Sequence, residues 1–247
     1  MTSRRDFLKT GLGTLALAAL GCGKDNSAST TGPTSQAPPA GGVPVSGWTK
    51  APQLINKDLQ MIGLAFHNFN HATGWLPSAF HPDASGQPNP WQQPWTMHWR
   101  FALLPYLEHQ NLYNSLRNKP YWKQPPTQLV QEYSAGMSDS MLTNYRVFTG
   151  PRTIFERGRQ LKLQQIKDGT SNTLLVVEAA EAVPWTSDRE LPYDPGKPLP
   201  RLGHPDRNFF FALLADGSIR KIPKTIDERT LRNLITIDDG QIVDIPG

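Results

Sequence analysis

The sequence predicts an α+β fold, a helix first and antiparallel strands after it, on three observations. Leu54, Ile55, Leu59, Ile62, Phe66 and Phe69 recur at spacings of one, three and four, which is the apolar face of a helix. Later in the chain, residues 145–148, 173–177 and 209–214 are short apolar runs bounded by turn residues, the pattern of strands. Asp216-Gly217, set between Leu214 and Ile219, is a tight-turn signal because both residues accept positive φ.

Taken in order, Gly74 stops the first helix and Pro77 prevents its resumption. Residues 99–104, followed by Pro105, read as a short helix, and 108–116 as a second. Residues 209–222 form a β-hairpin around Asp216-Gly217. Asp227 then caps a short helix through Leu234, and 241–245 is a last strand. Helical elements followed by antiparallel strands define α+β. Residues 48–247 have the length of one domain.

The N-terminus carries a different message. Ser3-Arg4-Arg5-Asp6-Phe7-Leu8-Lys9 is followed by an apolar stretch from Leu12 to Leu20 and then Gly21-Cys22. A basic start, a short apolar run and a small residue before the cut are the parts of a secretory signal. The run is too short to span a bilayer, which takes about 20 residues. Arg4 and Arg5, followed by an apolar pair and a lysine, resemble a twin-arginine export signal. Cys22, the single cysteine, falls where an export peptidase would cut and is similar to the acylated cysteine of a lipobox, although Ala19-Leu20-Gly21 departs from its usual residues. Residues 1–21 are therefore expected to be a signal peptide. Residues 22–50, rich in Ser, Thr, Gly and Pro, are expected to be a flexible tether. A tether of that kind has a typical end-to-end distance of about 25–30 Å.

Charge excludes one class of partner. The chain has 25 basic and 21 acidic residues; the signal holds three of the former and one of the latter, leaving 22 and 20, a net of +2. That is too weak for a nucleic-acid binder, which clusters Lys and Arg on a strongly basic domain. A local cluster of Arg146, Arg152, Arg157, Arg159 and Lys162, interrupted by Glu156, reads as a solvated loop or hairpin face.

Several segments together resemble a known family. They are Ile62-Gly63-Leu64-Ala65-Phe66-His67-Asn68, Leu76-Pro77, Leu104-Pro105-Tyr106-Leu107-Glu108 and Asn111-Leu112-Tyr113. Further on come Asp168-Gly169-Thr170-Ser171-Asn172-Thr173, Val177-Glu178, Val183-Pro184-Trp185 and Ala215-Asp216-Gly217-Ser218. Over residues 51–247 this resembles the domain of unknown function 1559, a pseudopilin-like family expanded in planctomycete-type bacteria. The resemblance implies a pilin-like fold, an N-terminal helix packed on an antiparallel sheet with long loops. Members typically begin with a prepilin signal whose apolar helix runs into the domain. A lipoprotein-type signal and tether stand there instead, which argues against a pilus-like fibre. The family carries no established activity, so the resemblance implies no reaction.

Candidate chemistry is sparse. His67 and His71 are four apart on the first helix, but a zinc protease would need Glu where Asn68 stands to supply the base. Asp168-Gly169-Thr170-Ser171-Asn172 has oxygen ligands at alternate positions but lacks the mid-loop glycine and the twelfth-position glutamate of a calcium loop. Glu178 and Glu181, three apart near a strand end, need not face each other. Trp91, Trp95 and Trp99 would form a stacking platform for sugars or a partner if exposed, and pack a long loop onto the helix if buried. Burial is the expectation.

No catalytic residue, metal or cofactor is therefore expected. The expected protein is an exported, lipid-anchored component of the cell envelope, facing the periplasm, with a structural or binding role. Its partners would be the membrane, through lipid on Cys22, and an envelope protein or polysaccharide. Two alternatives stand beside it: a periplasmic hydrolase or carbohydrate-active enzyme using His67, Glu178 or Asp216, and an accessory binding protein of a type II secretion-like system.

Overall fold

Proline fixes where the long helix begins. The structure, a computed structural model, describes residues 43–44, 50–81 and 97–241, apart from 120, 122, 124, 129 and 135–140, together with residue 243. Helix α1 spans Pro52–Thr73; Pro52 sits in its first turn, where the missing N–H is no loss and φ is preset. Ile55, Leu59, Ile62, Phe66 and Phe69 form its buried stripe. Each such side chain contributes roughly 1.5–3 kcal/mol when removed from water. The helix ends as expected at Gly74, whose φ of 78° is left-handed and whose N–H donates to Asn70 O.

The helical segment continues with α2 (Trp99–Ala102), a 3₁₀ turn at Leu104–Leu107 and α3 (Gln110–Leu116). The predicted 99–104 helix is thus shorter, because Pro105 enters a 3₁₀ turn instead.

The main sheet is antiparallel. Its strands β2 (Leu142–Arg146), β4 (Leu174–Pro184), β6 (Phe209–Leu214) and β7 (Ile219–Pro223) lie in the order β2-β4-β6-β7. Strand β1 (Val43–Pro44) adds to β4, pairing with Ala182 and Glu181. The short strands β3 (Phe148–Thr149) and β5 (Leu191–Pro192) form a separate parallel pair. The predicted strand over 145–148 is divided between β2 and β3. The break falls at Val147, whose N–H leaves the ladder to donate to the Glu190 carboxylate at 2.9 Å.

Both faces of the sheet are covered. Phe211 and Leu213 pack into the core beneath α1, while Phe210, Ala212 and Leu214 point the other way. That second face is covered by Leu231, Leu234 and Ile235 of α4 (Glu228–Ile235), whose N-cap Asp227 accepts from Thr230 N at 3.0 Å. Burial on both faces explains why 209–214 is continuously apolar rather than alternating. The hairpin forms as predicted, with Leu213 paired to Ile219. Gln241 and Val243 are not in a strand, and the rest of the predicted 241–245 strand lies outside the described residues.

Two glycines set how closely the layers meet. A side chain at Gly63 would begin 2.9 Å from Leu213 Cδ1, so glycine lets α1 close onto β6. Gly203 has φ of 70°, and a Cβ there would lie 2.7 Å from Phe210 Cβ and 2.9 Å from Phe209 O. Gly203→Ala should therefore cost about 2–3 kcal/mol from strain and overpacking. The melting temperature should fall by roughly 4–12 °C; an unchanged midpoint would show that the 201–209 loop repacks freely.

Candidate functional site

An arginine inside an apolar helix must find a counter-charge, and Arg100 of α2 finds Glu190. The two are 2.9 Å apart, with side chains 0% and 1% exposed. Glu190 Oε1 also accepts from Trp99 Nε1 at 3.0 Å and from His98 Nε2 at 3.2 Å, while Oε2 accepts from Val147 N. Arg100 spends its remaining reach on Tyr145 O and Ser187 O, at 2.7 and 2.9 Å. Arg146 Nη2 donates to the Glu190 carbonyl at 2.8 Å, and Tyr133 Oη to the Arg100 carbonyl. His98 Nδ1 accepts from Arg100 N, so the neutral tautomer carrying its proton on Nε2 satisfies both contacts. This cluster joins α2, β2 and the 185–191 segment.

Its titration follows from burial opposed by charge. Burial alone would raise Glu190, yet Arg100, His98 and Arg146 pull it down to about 2. Burial lowers His98, and Arg100 lowers it further against the pull of Glu190. His81, with its ring centroid 5.1 Å from that of His98, is lowered to about 4 by burial and by His98. A carboxylate held ionised among four donors and closed to solvent is a poor proton acceptor. The cluster therefore acts as a buried clasp.

The residues singled out from sequence are dispersed. Glu178 is fully buried in β4; it pairs with Arg207 and accepts from Phe211 N at 3.2 Å. Glu181, three residues on across a bulged stretch of β4, is half-buried and pairs with Pro44 of β1. Asp216 holds the hairpin turn, accepting from Ser218 N and Oγ at 2.8 and 2.6 Å. His67 packs against that turn, its Nε2 3.2 Å from where a Cβ on Gly217 would sit. Glu178 lies four residues along β4 from Leu174, the partner of Leu214 at the turn. That puts Glu178 roughly 13 Å along the strand from the pair beside the turn that holds Asp216. His71 is exposed. Among the described residues, no group of three His, Cys, Asp or Glu could hold a metal ion.

Asp168 has structural work as well, its carboxylate accepting from Asp239 N and Gly240 N at 2.8 and 2.7 Å. Trp99 is fully buried and stacks on Phe66 at 5.6 Å, which removes it from any exposed platform. Trp91 and Trp95 lie outside the described residues, as do Arg4, Arg5 and Cys22. Of the 146–162 cations, Arg152, Arg157, Arg159 and Lys162 are exposed on loops as expected, and Arg146 is the exception. Arg146 is buried, Arg152 pairs with Asp238, Arg157 lies over Phe80, Arg159 pairs with Glu156, and Lys162 lies over Trp75.

Arg100, Glu190 and His98 were not singled out from sequence. The usable signal was Arg100 itself, a permanent charge between Trp99 and Phe101 in a run with no nearby acid.

A family model described as a protein of unknown function (DUF1559) matches residues 56–138. That stretch holds most of α1, then α2 and α3, and stops before β2. Four of the quoted segments fall inside it, from Ile62-Gly63 through Asn111-Leu112-Tyr113; the remainder lie beyond it. No curated protein and no solved structure matches the chain. Over its helical portion, the chain is similar to the DUF1559 proteins of unknown function.

Proposed function

We propose that this chain is an exported cell-envelope protein, lipid-anchored through Cys22 and facing the periplasm, whose α+β domain serves a structural or binding role. The observation that carries the reading is the separation of anchor from domain. The export and acylation signal ends at Cys22, while α1 begins afresh at Pro52. A helix started by proline after a Gly/Ser/Pro-rich stretch is not the continuation of an apolar stem. Side-by-side packing of such stems, the basis of a pilin-like fibre, is therefore not expected.

A non-catalytic role is supported by the use made of the tempting side chains. Glu178, Asp216 and Asp168 spend their carboxylates on an arginine and on backbone N–H groups, so none is poised toward a common reacting atom.

The test is fractionation. After a high-salt wash, which removes electrostatic contacts, Cys22→Ser should be lost from the membrane fraction and lack a diacylglycerol-sized mass. Equal membrane retention of both forms would defeat the anchor. Replacing Arg4 and Arg5 with lysines should separately block export by the twin-arginine route.

A further inference from the structure

The sheet gathers cations at the end where the tether joins it. Past Val177 the neighbour of β4 is the 201–203 segment, with Ala179 paired to Leu202, and from Ala180 β1 pairs two residues further on at Ala182. Those two residues amount to roughly 7 Å of strand rise. Arg201 is fixed at the same level, its carbonyl accepting from Ala180 N at 3.0 Å. Lys224 is anchored nearby, its N–H donating to Asn208 O at 2.7 Å and its ammonium to His204 O. Arg207 and Lys221 both lie over the rings of Phe209 and Phe211, at 5.3–5.8 Å.

The charges in this patch do not cancel. Glu178 is buried and neutralises Arg207. Arg201, Lys221 and Lys224 are exposed and form no ion pair among the described residues, and Asp206 is an exposed carboxylate near Lys224. Burial, then repulsion from Arg207 and Arg201, lowers the Lys224 ammonium below the usual lysine value despite Glu178 and Asp206. Partly exposed Phe209 floors the patch with an aromatic ring.

We propose that this patch of Arg201, Lys221 and Lys224 around Phe209 docks the domain on an anionic lipid surface. The inference rests on the lipid-anchor reading, which fixes the occupant. Twenty residues lie between Cys22 and Val43, and a Gly/Ser-type chain of that length spans about 25 Å. A lipid on Cys22 thus holds the tether end of the sheet, and the cations with it, within reach of the headgroups. Confinement by the tether turns weak electrostatic docking into an intramolecular event. Anionic headgroups complement the cations, and salt should weaken the contact.

The Cys22→Ser protein carries no acyl group and isolates the patch. It should sediment with phosphatidylcholine vesicles that contain phosphatidylglycerol, and not with phosphatidylcholine alone. Lys221→Glu/Lys224→Glu should weaken that binding by roughly tenfold or more, and Lys221→Gln/Lys224→Gln by less. Both pairs should keep the parent melting temperature, since the two side chains are exposed. Binding to neither vesicle, equal binding to both, or binding unchanged in the glutamate variant would overturn the docking. Loss of docking while wild type stays acylated in the membrane fraction would sink this inference alone. Patch-dependent vesicle binding without lipid on Cys22 would sink the anchor alone.

Discussion

Glu190→Ala should destabilise the domain by about 3–5 kcal/mol, because it leaves Arg100 charged and fully buried without its counter-ion. For a domain of this size the melting temperature should fall by roughly 6–20 °C. Trp99 Nε1 and Val147 N would lose their acceptors in the same step. Arg100→Met should be comparably harmful, since Glu190 would then keep only neutral donors besides the more distant Arg146. The double variant Glu190→Ala/Arg100→Met should cost clearly less than the two singles added together, because the second change removes the stranded charge. Thermal melts of the three variants decide the matter. Additive losses, or a single-variant loss below about 1 kcal/mol, would mean the pair is not the clasp described above.

The clasp also marks the boundary of what sequence could reveal. The α1 stripe, the Gly74 stop, the Asp216-Gly217 hairpin and the Asp227 cap are local, each signalled within a few residues of where it acts. The Arg100–Glu190 contact spans 90 positions in the chain, and nothing beside Glu190 announces a partner. Missing that contact also hid the break at Val147, which depends on Glu190 Oε2. Strand β4 proved longer than the predicted 173–177 run, extending to Pro184. Buried over most of both faces, its residues 178–184 show no period of two that would mark a strand. Arg146 was misread for a related reason. Cations close in sequence suggest one face, yet on a strand flanked by a core they are distributed by alternation and by the nearest carbonyl. The candidate site was therefore legible as residue types and not as a constellation.

Acidification should unfold the protein in two overlapping stages. His81 has a folded-state pKa of about 4 against 6.5 when free. Between those values the unfolded chain takes up a proton that the folded one refuses, so stability is lost as pH falls from 6.5 to 4. The loss from this residue is on the order of 3 kcal/mol. His98, lowered for the same reason of burial, adds in the same direction. The groups facing His81 fix the sign: His98 and Arg100 oppose its charge, and Asp188 and the Thr186 carbonyl favour it too weakly to prevail over burial. Glu190 behaves as a lowered carboxyl, at about 2 against 4.5. Its contribution is complete above pH 4.5 and disappears as pH falls toward 2, again on the order of 3 kcal/mol. Melting temperature followed from pH 7.5 downward should thus begin to drop near 6.5 and continue dropping through the carboxyl range. His81→Gln preserves a donor for the Thr186 carbonyl, 2.9 Å from the histidine nitrogen, and removes the titration. That variant should make the fall between 6.5 and 4 shallower by the His81 share, leaving the share of His98 and the fall below 4.5. A His81→Gln curve that still tracks wild type through the upper window would show that His81 does not contribute to the acid sensitivity of the fold.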